Sequence, residues 1–209
     1  MFCSHCGTAI PDDARFCPKC GVGVGPGPTE GPLTTSSPAS ALTTASQLVM
    51  VWDKLAMIRN YRFEDGAGNP LGTTQGQVAF PLKYTLLDSE GKVVLVLDGG
   101  REHGLQFAYW VHDANGAVLA TFRVRSSFMS RRYGITVGGT ERYLLWTDAT
   151  GYQYRVEELG TSRVLATGTR TMAVRWSRTQ IEIGEGSELD HRIVLGSMIL
   201  ADHIATANV

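Results

Sequence analysis

The amino-acid sequence predicts an all-β domain of roughly ten to twelve short strands, a barrel or a sandwich, closed by one apolar helix and preceded by a small cysteine-bearing module. Three observations carry this. The tetrapeptide Asp-x-x-Gly recurs as Asp65–Gly68, Asp88–Gly91, Asp113–Gly116 and Asp148–Gly151, each time between apolar runs. The segment 190–206 is apolar nearly all round. All four cysteines fall within the first 20 residues.

The bulk numbers set the frame. The chain has 209 residues, a net charge of −1, 19% charged residues and 24 glycines. That length suits one ordinary domain plus a small module. A near-neutral chain has no global attraction to nucleic acid or anionic lipid. Low charge with many glycines suits a β domain with many tight turns. The opening MFCSHCGTAI does not read as a signal peptide, because no basic stretch leads into an apolar one. No run of about 18 apolar residues occurs, so no membrane-spanning helix is expected. Clustered thiols in such a setting bind metal more often than they pair as disulfides. A reducing, cytoplasmic location is expected.

Residues 1–24 form the first element. Their halves, FCSHCGTAI and FCPKCGVGV, are near copies, and two Cys-x-x-Cys knuckles stand ten residues apart. Each knuckle puts two thiolates on one side of a tight turn. Zn²⁺ takes four thiolates as a tetrahedron at about 2.3 Å. Cys3, Cys6, Cys17 and Cys20 are therefore the expected metal ligands. Four protein ligands leave no open position, so the single zinc is structural. His5 lies inside the first knuckle but is not needed as a ligand. So short a segment cannot fold on apolar burial alone, and the metal supplies most of its stability. The segment resembles the zinc-ribbon module. The Gly-rich stretch after Cys20 is no phosphate loop, since no strand, helix or Lys-Ser/Thr frames it.

Residues 25–46 are Gly, Pro, Ser, Thr and Ala with almost nothing to bury. They read as a disordered linker. The large domain is expected over 47–209. Each Asp-x-x-Gly reads as a hairpin turn, with Asp accepting from backbone N–H groups ahead of it and Gly supplying positive φ. A fifth hairpin is expected around Gly160 and a sixth between AVRWSR and QIEIG. Tyr152, Tyr154 and Val156 alternate with Gln153, Arg155 and Glu157, as a half-buried strand requires. The helix over 190–206 is about 24 Å long, with Ser187 as its expected cap. Its interior, from Ile193 to Ile204, wants burial on every side and is too short for a bilayer. It fits the inside of a barrel.

Repeated hairpins closed by one apolar C-terminal helix resemble the tubby C-terminal-like superfamily, nearest its LURP-one-related and phospholipid scramblase-like branches. The resemblance rests on Tyr61 to Asp65, Phe80 to Gly91, Phe107 to Val124 and Ile193 to Ile204, and covers about residues 50–207. It implies a closed antiparallel β-barrel of about twelve strands wrapped around the helix.

Arg123, Arg125, Arg131 and Arg132 flank Phe128 and Met129 in the most basic stretch of the chain. They are the candidate phospholipid or anion contact, set against a solvated hairpin end. Asp113-Ala114-Asn115-Gly116 lacks the ligand series of a Ca²⁺ loop and reads as a turn. The histidines, His5, His103, His112, His191 and His203, are scattered, and no Gly-x-Ser-x-Gly or His-Glu-x-x-His occurs. No catalytic residues are assigned. The expected function is a non-enzymatic, zinc-binding scaffold or adaptor with a protein partner and a candidate peripheral phospholipid contact. The alternatives are a scramblase-like membrane-associated protein and a nucleic-acid-binding ribbon. The latter is disfavoured because Asp12 and Asp13 oppose Arg15 and Lys19.

Overall fold

The computed structural model describes Ala9 and residues 40–53, 59–76, 82–103, 106–126, 131–173 and 175–206. The chain divides into two compact units, Met1–Pro38 and Ala39–Val209. Cys3, Cys6, Cys17 and Cys20 lie outside the described residues.

The second unit opens with a short helix, α1 (Ala41–Thr44). Leu42 on it is fully buried in the main core. Residues 40–46 therefore belong with the barrel, whereas the composition assigns them to the linker. One apolar side chain in a Ser/Thr/Ala stretch is enough to seat the segment once a core is there to receive it.

Twelve strands follow: β1 (Gln47–Asp53), β2 (Arg62–Glu64), β3 (Pro70–Gly76), β4 (Lys83–Asp88), β5 (Val93–His103), β6 (Gln106–His112), β7 (Val118–Ser126), β8 (Arg131–Val137), β9 (Thr140–Thr147), β10 (Gln153–Glu158), β11 (Val164–Met172) and β12 (Trp176–Ile183). Each pairs antiparallel with its neighbour in sequence, and β1 pairs with β12 to close the barrel. Closure removes every free edge. The barrel is the expected one.

The first three Asp-x-x-Gly turns share one geometry. Oδ1 of Asp65, Asp88 and Asp113 accepts the N–H of the residue two places on and of the residue four places on. Gly68, Gly91 and Gly116 stand at φ 88°, 81° and 84°. The Asp113 carboxylate is thus engaged by its own turn. The hairpin around Gly160 forms as expected. The sixth does not, because Trp176–Ile183 is one unbroken strand of alternating exposed and buried residues. Gly138 and Gly139, both at positive φ, make a β8–β9 turn that the Asp-x-x-Gly pattern could not reveal.

The C-terminal helix, α2 (His191–Thr206), touches β5, β6, β9, β10 and β12. Residues 193–202 are buried without a break. A helix enclosed on all sides inside a closed sheet follows from its all-round apolar surface. Asp190 caps it, its Oδ1 accepting the N–H of Arg192 at 2.9 Å. The expected cap, Ser187, lies one turn too early and accepts from Leu189 instead. Gly196 lets the helix meet the wall: a Cβ there would stand 2.5 Å from Cγ2 of Val111.

Candidate functional site

An up-and-down barrel sorts its turns to two ends. The Asp65, Asp88 and Asp113 turns lie where α2 begins, and the Asp148 turn lies where it finishes. The Asp148 turn is also one residue longer, since Asp148 N–H reaches the carbonyl of Gln153. That extra residue carries Tyr152 outside β10, where it is 43% exposed, while Tyr154 and Val156 point inward as the alternation requires. Gly151 ends the turn against the helix, and a Cβ on it would stand 2.7 Å from Cβ of Ala205.

At this end the apolar run of α2 is broken by Asp202, which is 0% exposed. Three wall residues converge on it, and a fourth holds one of them. The Tyr61 hydroxyl, just before β2, donates to Oδ2 at 3.2 Å. The Tyr154 hydroxyl on β10 lies 3.3 Å from Oδ1 and 2.9 Å from the Gly151 carbonyl. Arg170 on β11 places Nε 3.4 Å from Oδ1 and donates to Oγ of Ser177 on β12 at 2.9 Å. Arg170 also reaches the Gly151 carbonyl at 3.4 Å. One carboxylate so ties the helix to the residue before β2, to β10 and to β11, and through Arg170 to Ser177 of β12.

The electrostatics follow from burial. Loss of solvent raises the Asp202 carboxyl above its ordinary value, and the charges of Arg170 and Arg59 pull it back. The Tyr61 and Tyr154 hydroxyls are raised by burial and then by the Asp202 charge. They stay neutral and act as donors. Beside Asp202, His203 has its pKa lowered to about 4 by burial and by the Arg59 charge. Its neutral imidazole sits 3.3 Å from the Tyr84 hydroxyl through Nδ1. Arg59 covers the ring of Trp52 at 4.4 Å and donates to the His203 carbonyl at 3.5 Å. The Tyr61 and Tyr154 hydroxyls and the Arg170 guanidinium engage Asp202, and their arrangement is that of a lock between helix and wall.

The arginines singled out in the sequence lie elsewhere. Arg123 and Arg125 stand together on the outer face of β7. Arg123 grips Glu102 with two bonds of 2.6 Å each. Arg125 pairs with Glu141, whose carboxylate lies over Gly134. Arg132 is exposed. Arg131 begins β8, while Phe128 and Met129 lie outside the described residues. The structure thus brings Arg123 and Arg125 together but provides each with its own carboxylate. His112 lies 3.2 Å from Asp98, far in sequence from the helix-end cluster.

The Asp202 cluster was not assigned in the sequence. Its signal is a charged residue in a helix that otherwise demands burial, which obliges a buried partner. The partner's identity needs the register of the barrel. Among the described residues no group of three or more His, Cys, Asp or Glu is placed to hold a metal ion. No described helix is long and apolar enough to cross a membrane.

Residues 2–21 match the zinc-ribbon domain family, so a zinc-ribbon domain is present at the N-terminus. No curated protein matches the chain. The X-ray structure of a protein from Arabidopsis thaliana is similar to it with a TM-score of 0.52 and 17% identity, over 76% of this chain and 91% of that one. At that identity the likeness speaks for the barrel fold alone.

Proposed function

We propose that this chain is a non-enzymatic adaptor, in which a zinc-bearing ribbon and the outer wall of a barrel each dock a protein partner. The observation that carries this reading is the burial of α2. A helix fills the barrel, so the space that other barrels give to a small ligand is occupied by the chain itself. Recognition is left to the outer surface. The Asp202 carboxylate at the helix end is engaged by Tyr61, Tyr154 and Arg170, which suits a structural lock better than a reaction centre.

In the ribbon, Cys3, Cys6, Cys17 and Cys20 would hold the metal. Two Cys-x-x-Cys pairs form an all-thiolate donor set, which suits Zn²⁺ and leaves no ligand position for substrate. The metal then serves folding. The helix-filled barrel of twelve strands also supports placing the large domain in the tubby C-terminal-like superfamily, near its LURP-one-related branch.

A lipid-headgroup role for the basic stretch has less support, because Arg123 and Arg125 already satisfy Glu102 and Glu141. Flotation with phosphoinositide-containing vesicles tests the choice. The chain is expected to remain in the aqueous fraction. Co-flotation that disappears in Arg131→Glu/Arg132→Glu would replace the adaptor reading with a membrane one.

A further inference from the structure

A row of directly opposed residues crosses the outer wall of the barrel. Trp146 of β9 faces Arg155 of β10, Arg155 faces Thr167 of β11, Thr167 faces Glu182 of β12, and Glu182 faces Gln47 of β1. At about 4.8 Å per strand this row spans roughly 19 Å, the reach of about six extended residues.

Two grooves lie along the row. One, of about 390 Å³, is bounded by Ser46, Gln47, Glu182 and Glu185. The other, of about 290 Å³, holds Trp146 and Arg155. They share Val164 and Thr167 and so form one furrow. Its cause is local. Val156 opposes Ala166 but Glu157 opposes Val164, which leaves Leu165 as an extra residue. Such a bulge bends its strand and re-aims the side chains beside it. Val164 stands 45% exposed in the middle of the furrow.

The ends differ in charge. At one, the Arg155 guanidinium lies 4.1 Å over the Trp146 ring and pairs with Glu157, so its charge is answered. At the other, Glu182 accepts from the Gln180 amide at 3.3 Å, with no cation paired to it among the described residues, and Glu185 stands exposed beside it. An acidic end, an apolar middle and an aromatic end complement an extended chain with a cation at its head.

We propose that this furrow binds an extended peptide segment of a protein partner, its cationic side chain at Glu182 and Glu185 and an apolar side chain against Val164. This rests on the adaptor reading and names the partner chemistry for the barrel wall.

The test uses the full chain, labelled with ¹⁵N, and two acetylated peptides of about eight residues, one alternating Val with Lys and one alternating Val with Glu. The Val-Lys peptide is expected to move the amides of Val164, Thr167, Glu182 and Glu185, at concentrations about ten-fold below any effect of the Val-Glu peptide. The Glu182→Lys/Glu185→Lys variant should reverse the preference. Its outward positions let it fold, which the unchanged amide dispersion of the core would verify. Equal response to both peptides, movement confined to other faces, or no movement overturns the furrow. If the furrow fails while the chain still stays off vesicles, the adaptor reading survives. Co-flotation would remove that reading itself.

Discussion

Nε of Arg170 lies 3.4 Å from Oδ1 of Asp202, and neither side chain is more than 4% exposed. This ion pair joins the last strands of the wall to the end of the helix they enclose. The attraction of a buried pair is offset by desolvation of both charges, so the pair adds little net stability, but removing one partner strands the other. Asp202→Ala should cost about 3–5 kcal/mol, and Arg170→Met a comparable amount. The double variant should recover much of the loss. Urea unfolding of the four chains gives the coupling energy directly. Additive losses would mean that the two residues act separately and that no lock exists.

The helix register gives a second prediction. Gly196 faces Val111 so closely that an added methyl has to displace Cγ2. Both sites are enclosed, and overpacking of this kind costs about 1–3 kcal/mol. Gly196→Ala should lower the unfolding midpoint although alanine is the better helix former. Val111→Ala combined with it should return part of the loss by making room. A Gly196→Ala chain more stable than the parent would show that the helix does not press on β6.

What could be read from the sequence was what is local. Asp113 makes its turn from its own oxygen and the N–H groups of Asn115 and Ala117, a motif complete within a few residues. The all-round apolar surface of α2 demanded enclosure wherever the strands went. The expected sixth turn failed for the same reason, since Thr179 and Gln180 lack turn chemistry and the strand runs through them. The Asp202 cluster could not be assembled in advance. Tyr61, Tyr154 and Arg170 come from separate parts of the wall, and only the closed register brings them to one carboxylate. Leu42 was missed because its neighbours are linker-like and its burial is decided by a core elsewhere.

The four-cysteine donor set of the ribbon predicts about one zinc per chain by elemental analysis. Cys6→Ser should lower that occupancy and make the metal easier to chelate. The barrel unit has its own core, centred on α2 and the inner strand faces. Chelation should therefore leave the main melting transition within about 2 °C of its starting value, since the metal stabilises only the module that binds it. Far less than one zinc per chain would reject the ribbon as a metal site.

His203 gives the last prediction, through pH. Its folded pKa is lowered to about 4 from an ordinary 6.5. Between those values the unfolded chain binds the proton more readily than the folded one, so stability rises with pH. The contribution is full above about pH 6.5 and is lost as pH falls toward 4. A shift of this size corresponds to at most about 3 kcal/mol, and the partly solvated ring brings it below that. Asp202 acts in the opposite sense. Burial raises its carboxyl, so the folded chain takes up that proton more readily and acidification relieves a buried charge. Wild type alone would show the difference of the two. His203→Gln keeps a polar group near the Tyr84 hydroxyl and removes the titration. The urea midpoint should then drop further between pH 7 and pH 5 in wild type than in the variant, and the His203 imidazole should titrate near pH 4 by NMR. An imidazole titrating above pH 6 would mean that the helix end is open to water and that the enclosure described for α2 stops short of it.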